Sequence, residues 1–298
     1  MALSYTTGRN FYGNLTLDTS SANLTLGDTQ ANEEYRLICG MRDWPFLHRA
    51  RTMLTVTSEF AALPYDIDQV ESVFVTVSSI RHTPKLITSR EQWDVLNRNT
   101  FTSDIPQYAF AFNGQLGLWP RAATAGNTIT VNGKVRVVDL NTADLTSSTI
   151  SALTNASTAF TASGGLLTAH AGFWLRTTFS TAASKGDGVW YEISSVTNGT
   201  TGVLVRPYGG TTITGASAAC AIAQLPLLPE AFHSLPWVAA AADYWDMNGN
   251  PVKAVALRAR HKLGIETLIE QYANFVTDPV VDDGWDRDVL NPNLTISL

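Results

Sequence analysis

Charge is the first thing this sequence lacks. Of its 298 residues only 15% are Asp, Glu, Lys or Arg, against about a quarter in ordinary soluble domains. Two readings fit so few charges. Either much of the surface is covered by other subunits, whose contact centres are depleted in charge, or the surface is Ser/Thr-rich and polar without being ionic. The residual balance is acidic, a net −6, which argues against nucleic acid as the direct partner. Cysteine is nearly absent too. Cys39 and Cys220 have no partner spacing and read as buried thiols of a reducing compartment, with a disulfide between them as the other reading. No apolar run is long enough to cross a bilayer. The first residues show no basic-then-apolar leader pattern.

Recognisable chemistry is missing as well. There is no Gly-rich phosphate loop and no Gly-x-Ser-x-Gly elbow. The histidines, at 48, 82, 170, 233 and 261, never pair at metal-ligand spacing. His233 and His261 fall on predicted helices, where a polar or capping role is expected. The aspartates 278, 282, 283, 286 and 288 cluster near the end of the sequence but lack the Asp-x-Asp-x-Asp-Gly order of a calcium loop. Neither a cofactor nor a metal is expected, and no catalytic residue is assigned.

The fold is carried by two kinds of periodicity. From Pro229 to Phe275 the apolar spacing is helical and interrupted once, at Asp246–Asn250, so a helical hairpin is predicted. Pro236 should kink or restart its first helix. Asn250 should cap the second, with Pro251 at its first position. Val252, Val255, Ala259, Leu263, Leu268 and Tyr272 are expected to form that helix's apolar stripe. An earlier helix should start at Asp28 or Thr29, bury Ala31, Tyr35, Ile38 and Met41, and end by Trp44-Pro45.

Between the helices the pattern is β. Val73, Val75 and Val77 alternate with polar residues. Ser89–Gln92 fits the start of a short helix bearing Trp93 and Leu96. Tyr108, Phe110 and Phe112 alternate up to Asn113-Gly114, the dipeptide of a type I′ hairpin, and Leu116 and Leu118 follow. Residues 129–140 read as one strand bulged at Gly133. From 142 to 222 Ser, Thr, Ala and Gly dominate, and beyond Asp144 the acids are the pair Asp187 and Glu192. Short strand signals and Trp174, Trp190, Tyr191 and Tyr208 nevertheless predict a packed β module.

The expected class is therefore α+β. A helical base (28–50 with 225–275) carries a β-sandwich-like unit (51–141) with a short helix and an aromatic hairpin. A small β-barrel or sandwich is inserted at 142–224. Residues 1–27 are expected as an extended N-terminal arm and 276–298 as an extended tail. That tail is acidic yet holds Trp285, Val289, Leu290, Leu294 and Ile296. These five are the candidate interface residues, with Leu294–Leu298 adding a strand to another chain.

The order of several short motifs is familiar. Thr25-Leu26-Gly27-Asp28-Thr29 leads into Arg42-Asp43-Trp44-Pro45-Phe46-Leu47. Leu63-Pro64-Tyr65-Asp66, Thr88–Trp93 and Ser103–Tyr108 follow, then Leu118-Trp119-Pro120 and Leu225-Pro226. Over roughly 24–140 and 225–275 this series resembles the head-to-tail connector, or adaptor, proteins of tailed bacteriophages. The resemblance implies a virion protein of the head–tail junction without catalysis, made in the host cytoplasm. It implies a homo-oligomeric ring, typically a dodecamer, bound under the portal protein. Tail, nozzle or neck proteins would follow it, and DNA would pass through the channel without specific binding. No membrane is implied. The 142–222 stretch departs from compact members. The alternatives are another phage tail or receptor-binding β protein, or a carbohydrate-active enzyme.

Overall fold

The computed structural model describes residues 2–98, 101–178 and 186–272. The expected tail, 276–298, lies outside them.

The first correction is at the N-terminus. Residues 1–27 are not an extended arm. Helix α1 spans Tyr5–Thr16 and helix α2 spans Ser21–Gly40, well ahead of the start predicted at Asp28. Serine caps both. The Ser4 hydroxyl accepts from the Thr7 amide at 3.3 Å, and Ser20 from the Asn23 amide at 3.4 Å. Gly8 and Gly27 lower helix propensity, and they are there for packing. A Cβ on Gly8 would lie 2.2 Å from the Trp237 indole nitrogen, and one on Gly27 would lie 2.4 Å from the Tyr12 ring.

The C-terminal hairpin follows the expectation in outline. A 3-10 turn at Glu230–Phe232 precedes α4, Leu235–Met247, with Pro236 in its first turn, so the chain restarts there. The α5 helix begins at Pro251 and runs to Tyr272, and the Asn250 carboxamide accepts from the Lys253 amide at 3.3 Å. Helix α4 is central: α1, α2 and α5 all pack on it. Tyr35, Ile38, Phe232, Leu235 and Leu268 share one buried core with Trp44 and Trp237. Two expectations fail. Met41 is 52% exposed. On α5 the inward residues are Ala254, Leu257, Ile265, Leu268 and Ile269, whereas Val252, Val255 and Leu263 face outward, 64–79% exposed.

The same core continues into β structure. Strands β1 (His48–Leu54), β8 (Thr128–Val135), β3 (Ile67–Val77) and β4 (Ile80–His82) form an antiparallel sheet in that order. Strand β8 is continuous as far as Val135. The bulges lie on its partner β3, between Ile67 and Gln69 and between Val70 and Ser72, not at Gly133. A second sheet runs β2 (Phe60–Ala62), β7 (Gln115–Trp119), β6 (Tyr108–Phe112), β5 (Lys85–Ile87). Asn113 and Gly114 both have positive φ and close the β6–β7 hairpin with Phe112 opposite Gln115. Helix α3 (Arg90–Leu96) drops Trp93 onto this sheet, stacked on Phe110 at 5.4 Å.

The Ser/Thr/Ala-rich stretch is a closed six-stranded barrel. Its strands are β9 (Thr149–Leu153), β10 (Ala159–Ala162), β11 (Trp174–Thr177), β12 (Trp190–Val196), β13 (Thr201–Leu204) and β14 (Ile213–Ala223), ordered β10-β13-β12-β11-β14-β9. Closure leaves no sheet edge. Ile150, Phe160, Leu175, Ile193, Leu204 and Ile222 fill it. A small barrel has room for few large side chains, which is why Ala and Cys220 suit its wall.

Candidate functional site

The features with the most unusual chemistry sit where the barrel meets the helical base. The two chain segments that lead into and out of the barrel are tied together. The Gln224 side-chain oxygen accepts from the Asn141 and Thr142 amides at 2.9 and 3.1 Å, and its nitrogen donates to the Asp139 carbonyl at 2.8 Å. Helix α2 grips both segments. Asn32 pairs with the Leu140 backbone through two bonds of 2.7 and 2.9 Å, and the Tyr35 hydroxyl accepts from the Leu227 amide at 2.8 Å. The start of α1 adds a third tie. The Tyr5 amide donates to the Gln224 carbonyl at 3.0 Å, and the Asp144 amide donates to the Thr6 hydroxyl at 2.9 Å.

A charge cluster closes the junction on the strand side. Arg49 and Arg51 lie on β1, and Glu192 on β12 of the barrel. Arg49 meets Glu192 at 2.7 Å; Arg51 bridges Glu192 and, at 2.6 Å, Asp66. All four side chains are 10–18% exposed. Two cations and two carboxylates balance, so burial is tolerated only as a set. Burial alone would lower the Arg51 pKa; Asp66 and Glu192 outweigh it and raise it.

Beside this cluster a cleft of about 580 Å³ separates barrel from base. Trp174, Arg176, Trp190 and Arg206 line its barrel wall, and Phe46, Arg49, Leu227, Glu230 and Tyr272 the opposite wall. The arginines lie over aromatic rings: Arg176 over Trp190 and Arg206 over Tyr191, both at 4.7 Å. Such stacking holds a guanidinium in place while leaving its N–H fork free for an acceptor.

The expected site residues fare unevenly. Trp285, Val289, Leu290, Leu294 and Ile296 lie outside the described residues. His233 caps as expected: its ring accepts from the Leu3 amide at 3.2 Å and its other nitrogen lies 2.8 Å from the Leu228 carbonyl. Burial lowers its pKa. His261 lies 3.1 Å from Glu34. Both cysteines are free and buried, and burial raises Cys39 to about 12 and Cys220 to about 11. Among the described residues no group of three or more His, Cys, Asp or Glu could hold a metal, and no helix is long and apolar enough to cross a membrane. Sequence reasoning missed the junction. One signal was available: Glu192 stands between Tyr191 and Ile193 inside an apolar strand, where a lone acid needs a partner.

Two packed cores joined by hydrogen-bonded segments and a buried ion cluster, with an arginine- and tryptophan-lined cleft between them, define a binding and assembly architecture. The sequence matches the family described as SU10 adaptor protein over residues 11–163, just over half of the chain. The chain belongs to that family of phage adaptors, and is thereby a component of the phage particle. The match runs from α1 through α2 and both sheets to the end of β10 and does not include α4 or α5. No curated protein matches the chain.

Proposed function

We propose that this chain is a ring-forming head-to-tail adaptor that docks under the portal and joins capsid to tail without catalysing a reaction. The observation that carries the reading is the outer ridge of α5. Val252, Val255, Ala256, Ala259 and Leu263 are all exposed and recur at helical spacing along one side. A helix that packs its opposite side on α4 has no internal use for this ridge. Burying each Val or Leu against a neighbour is worth about 1.5–3 kcal/mol. The low charge density is consistent with further covered surface. In this reading the helical base faces the portal, the β part faces the tail, and twelve copies surround a channel through which DNA passes without specific binding. Leu294–Leu298 adds a strand to the portal or to a neighbouring copy.

The test is imaging of portal-bearing heads incubated with the protein. A ring at the portal vertex is expected. Leu263→Glu should abolish the ring while leaving the thermal melt unchanged. A trimeric spike, or a single copy per particle, overturns the proposal.

A further inference from the structure

We propose that the cleft between the barrel and the base is the seat of the chain's own acidic segment, Asp278–Asp288, with Trp285 as its anchor. The inference does not depend on ring formation. Three observations lead to it.

The first is the unmet charge of the cleft. Arg49 is neutralised by Glu192. Among the described residues Arg176 and Arg206 have no carboxylate within ion-pairing distance. Arg176 lies over the Trp190 ring and Arg206 over the Tyr191 ring, and Arg206 donates to the Trp190 carbonyl at 3.0 Å. Glu230, on the opposite wall, accepts from the Ala2 amide at 2.6 Å. The cleft therefore presents two guanidinium groups held over aromatic rings, with N–H donors left for carboxylates.

The second is the apolar part. Trp174, Trp190, Phe46 and Tyr272 are only partly buried, and Val189 is 42% exposed. A ligand for this cleft needs an aromatic or aliphatic group beside its acids. Asp282-Asp283-Gly284-Trp285-Asp286 offers that combination in five residues.

The third is position. Tyr272, the last residue of α5, is itself a wall of the cleft. Asp278 follows six residues later. Six extended residues span about 20 Å, enough to leave the helix end and turn back. A tether this short gives an effective concentration on the order of millimolar, so even a weak contact between segment and cleft is populated. Five aspartates against one arginine, Arg287, make the segment strongly acidic. Seating it leaves Val289 to Leu298 free to reach another chain.

The experiment uses the full chain with Trp285→p-benzoylphenylalanine and maps photo-crosslinks by mass spectrometry. Mixing isotope-labelled with unlabelled chains separates contacts within a chain from contacts between chains. Crosslinks within one chain to Trp174–Arg176, Gly188–Trp190 or Leu225–Glu230 are expected. Arg176→Glu with Arg206→Glu should lower their yield at least tenfold, and adding Asp282→Arg with Asp283→Arg should restore it. If the arginine pair does not fold, the aspartate pair alone should produce the same loss. Crosslinks to the cleft of a second copy, crosslinks elsewhere on the surface, or an undiminished yield in either charge-reversed variant overturn the proposal.

Discussion

Single side chains decide whether the barrel stays fixed to the base. Glu192 is the clearest. Its removal strands Arg49 without a carboxylate and leaves Arg51 with Asp66 alone. Breaking a buried pair in this way costs about 3–5 kcal/mol, so Glu192→Ala should lower the thermal midpoint sharply; an unchanged melt would show the pair solvated and weak. Gly27 makes the opposite kind of test. Alanine gains about 1 kcal/mol of helix propensity, yet its Cβ would sit 2.4 Å from a Tyr12 ring that is fully buried. Tyr12 is further pinned by its hydroxyl bond to Asn23 at 2.8 Å. Overpacking costs about 1–3 kcal/mol, so clash wins and Gly27→Ala should destabilise in urea titration. His233 sets a pH dependence. Its pKa is lowered by burial, so the folded chain holds it neutral where the unfolded chain binds a proton. Stability on this account is full above about pH 6.5 and falls as pH drops below it. His48 acts in the other direction. Burial opposes its charge, but Glu71 and Asp43 raise its pKa, so its contribution is present at low pH and lost as pH rises. Replacing His233 with Gln should flatten the acid limb of the stability curve, and a limb left unchanged would assign it elsewhere.

At the scale of elements, what the sequence made legible depended on whether one local signal ruled. The Asn113-Gly114 hairpin, the Ser89 cap of α3 and the Asn250-Pro251 start of α5 are local chemistry, and each stands where the residues place it. Helix α1 and the first two turns of α2 were hidden because glycine, threonine and asparagine dilute their propensity, and tertiary packing on Trp237 and Tyr12 supplies the stability. The face of α5 was misjudged for a related reason. This helix is apolar on two sides, and spacing alone cannot say which side faces in. Gly264 settles it: Leu235 packs so closely that a Cβ there would meet it at 2.3 Å. The two sides should therefore respond differently to substitution. Ile38→Ala and Leu268→Ala, both at fully buried positions, should each cost about 2–5 kcal/mol. Val255→Ser, on the ridge, should leave the denaturation midpoint in place.

For the whole molecule the legible part was the division of labour, helices at the base and β structure above. The ties that join them were not legible, because Asn32, Glu192 and Gln224 bind partners 82 to 143 residues away and no local pattern announces such pairing. Those ties make a sharp prediction about the barrel as a unit. Asn141 and Gln224 are already hydrogen-bonded, so replacing residues 143–223 by a short Gly linker imposes no stretch. The deletion removes Glu192 but also removes the barrel wall that keeps water from Arg49 and Arg51. Their desolvation cost disappears together with their partner. The barrel core, built on Ile150, Phe160 and Ile193, is separate from the core that holds Trp44, Trp237 and Val131, so no apolar cavity opens in the base. Beyond the Glu192 pairs, the hydrogen bonds lost are those of Asp144 to Ser4 and Thr6, at about 1 kcal/mol each, together with the Trp174 ring beneath Arg49. The deleted chain should keep its helical circular dichroism and unfold cooperatively. Its base should be more stable than that of the Glu192→Ala full chain, since an arginine in water is cheaper than one buried alone. A deletion that unfolds globally, or that ranks below Glu192→Ala, would instead make the barrel an integral support of the base.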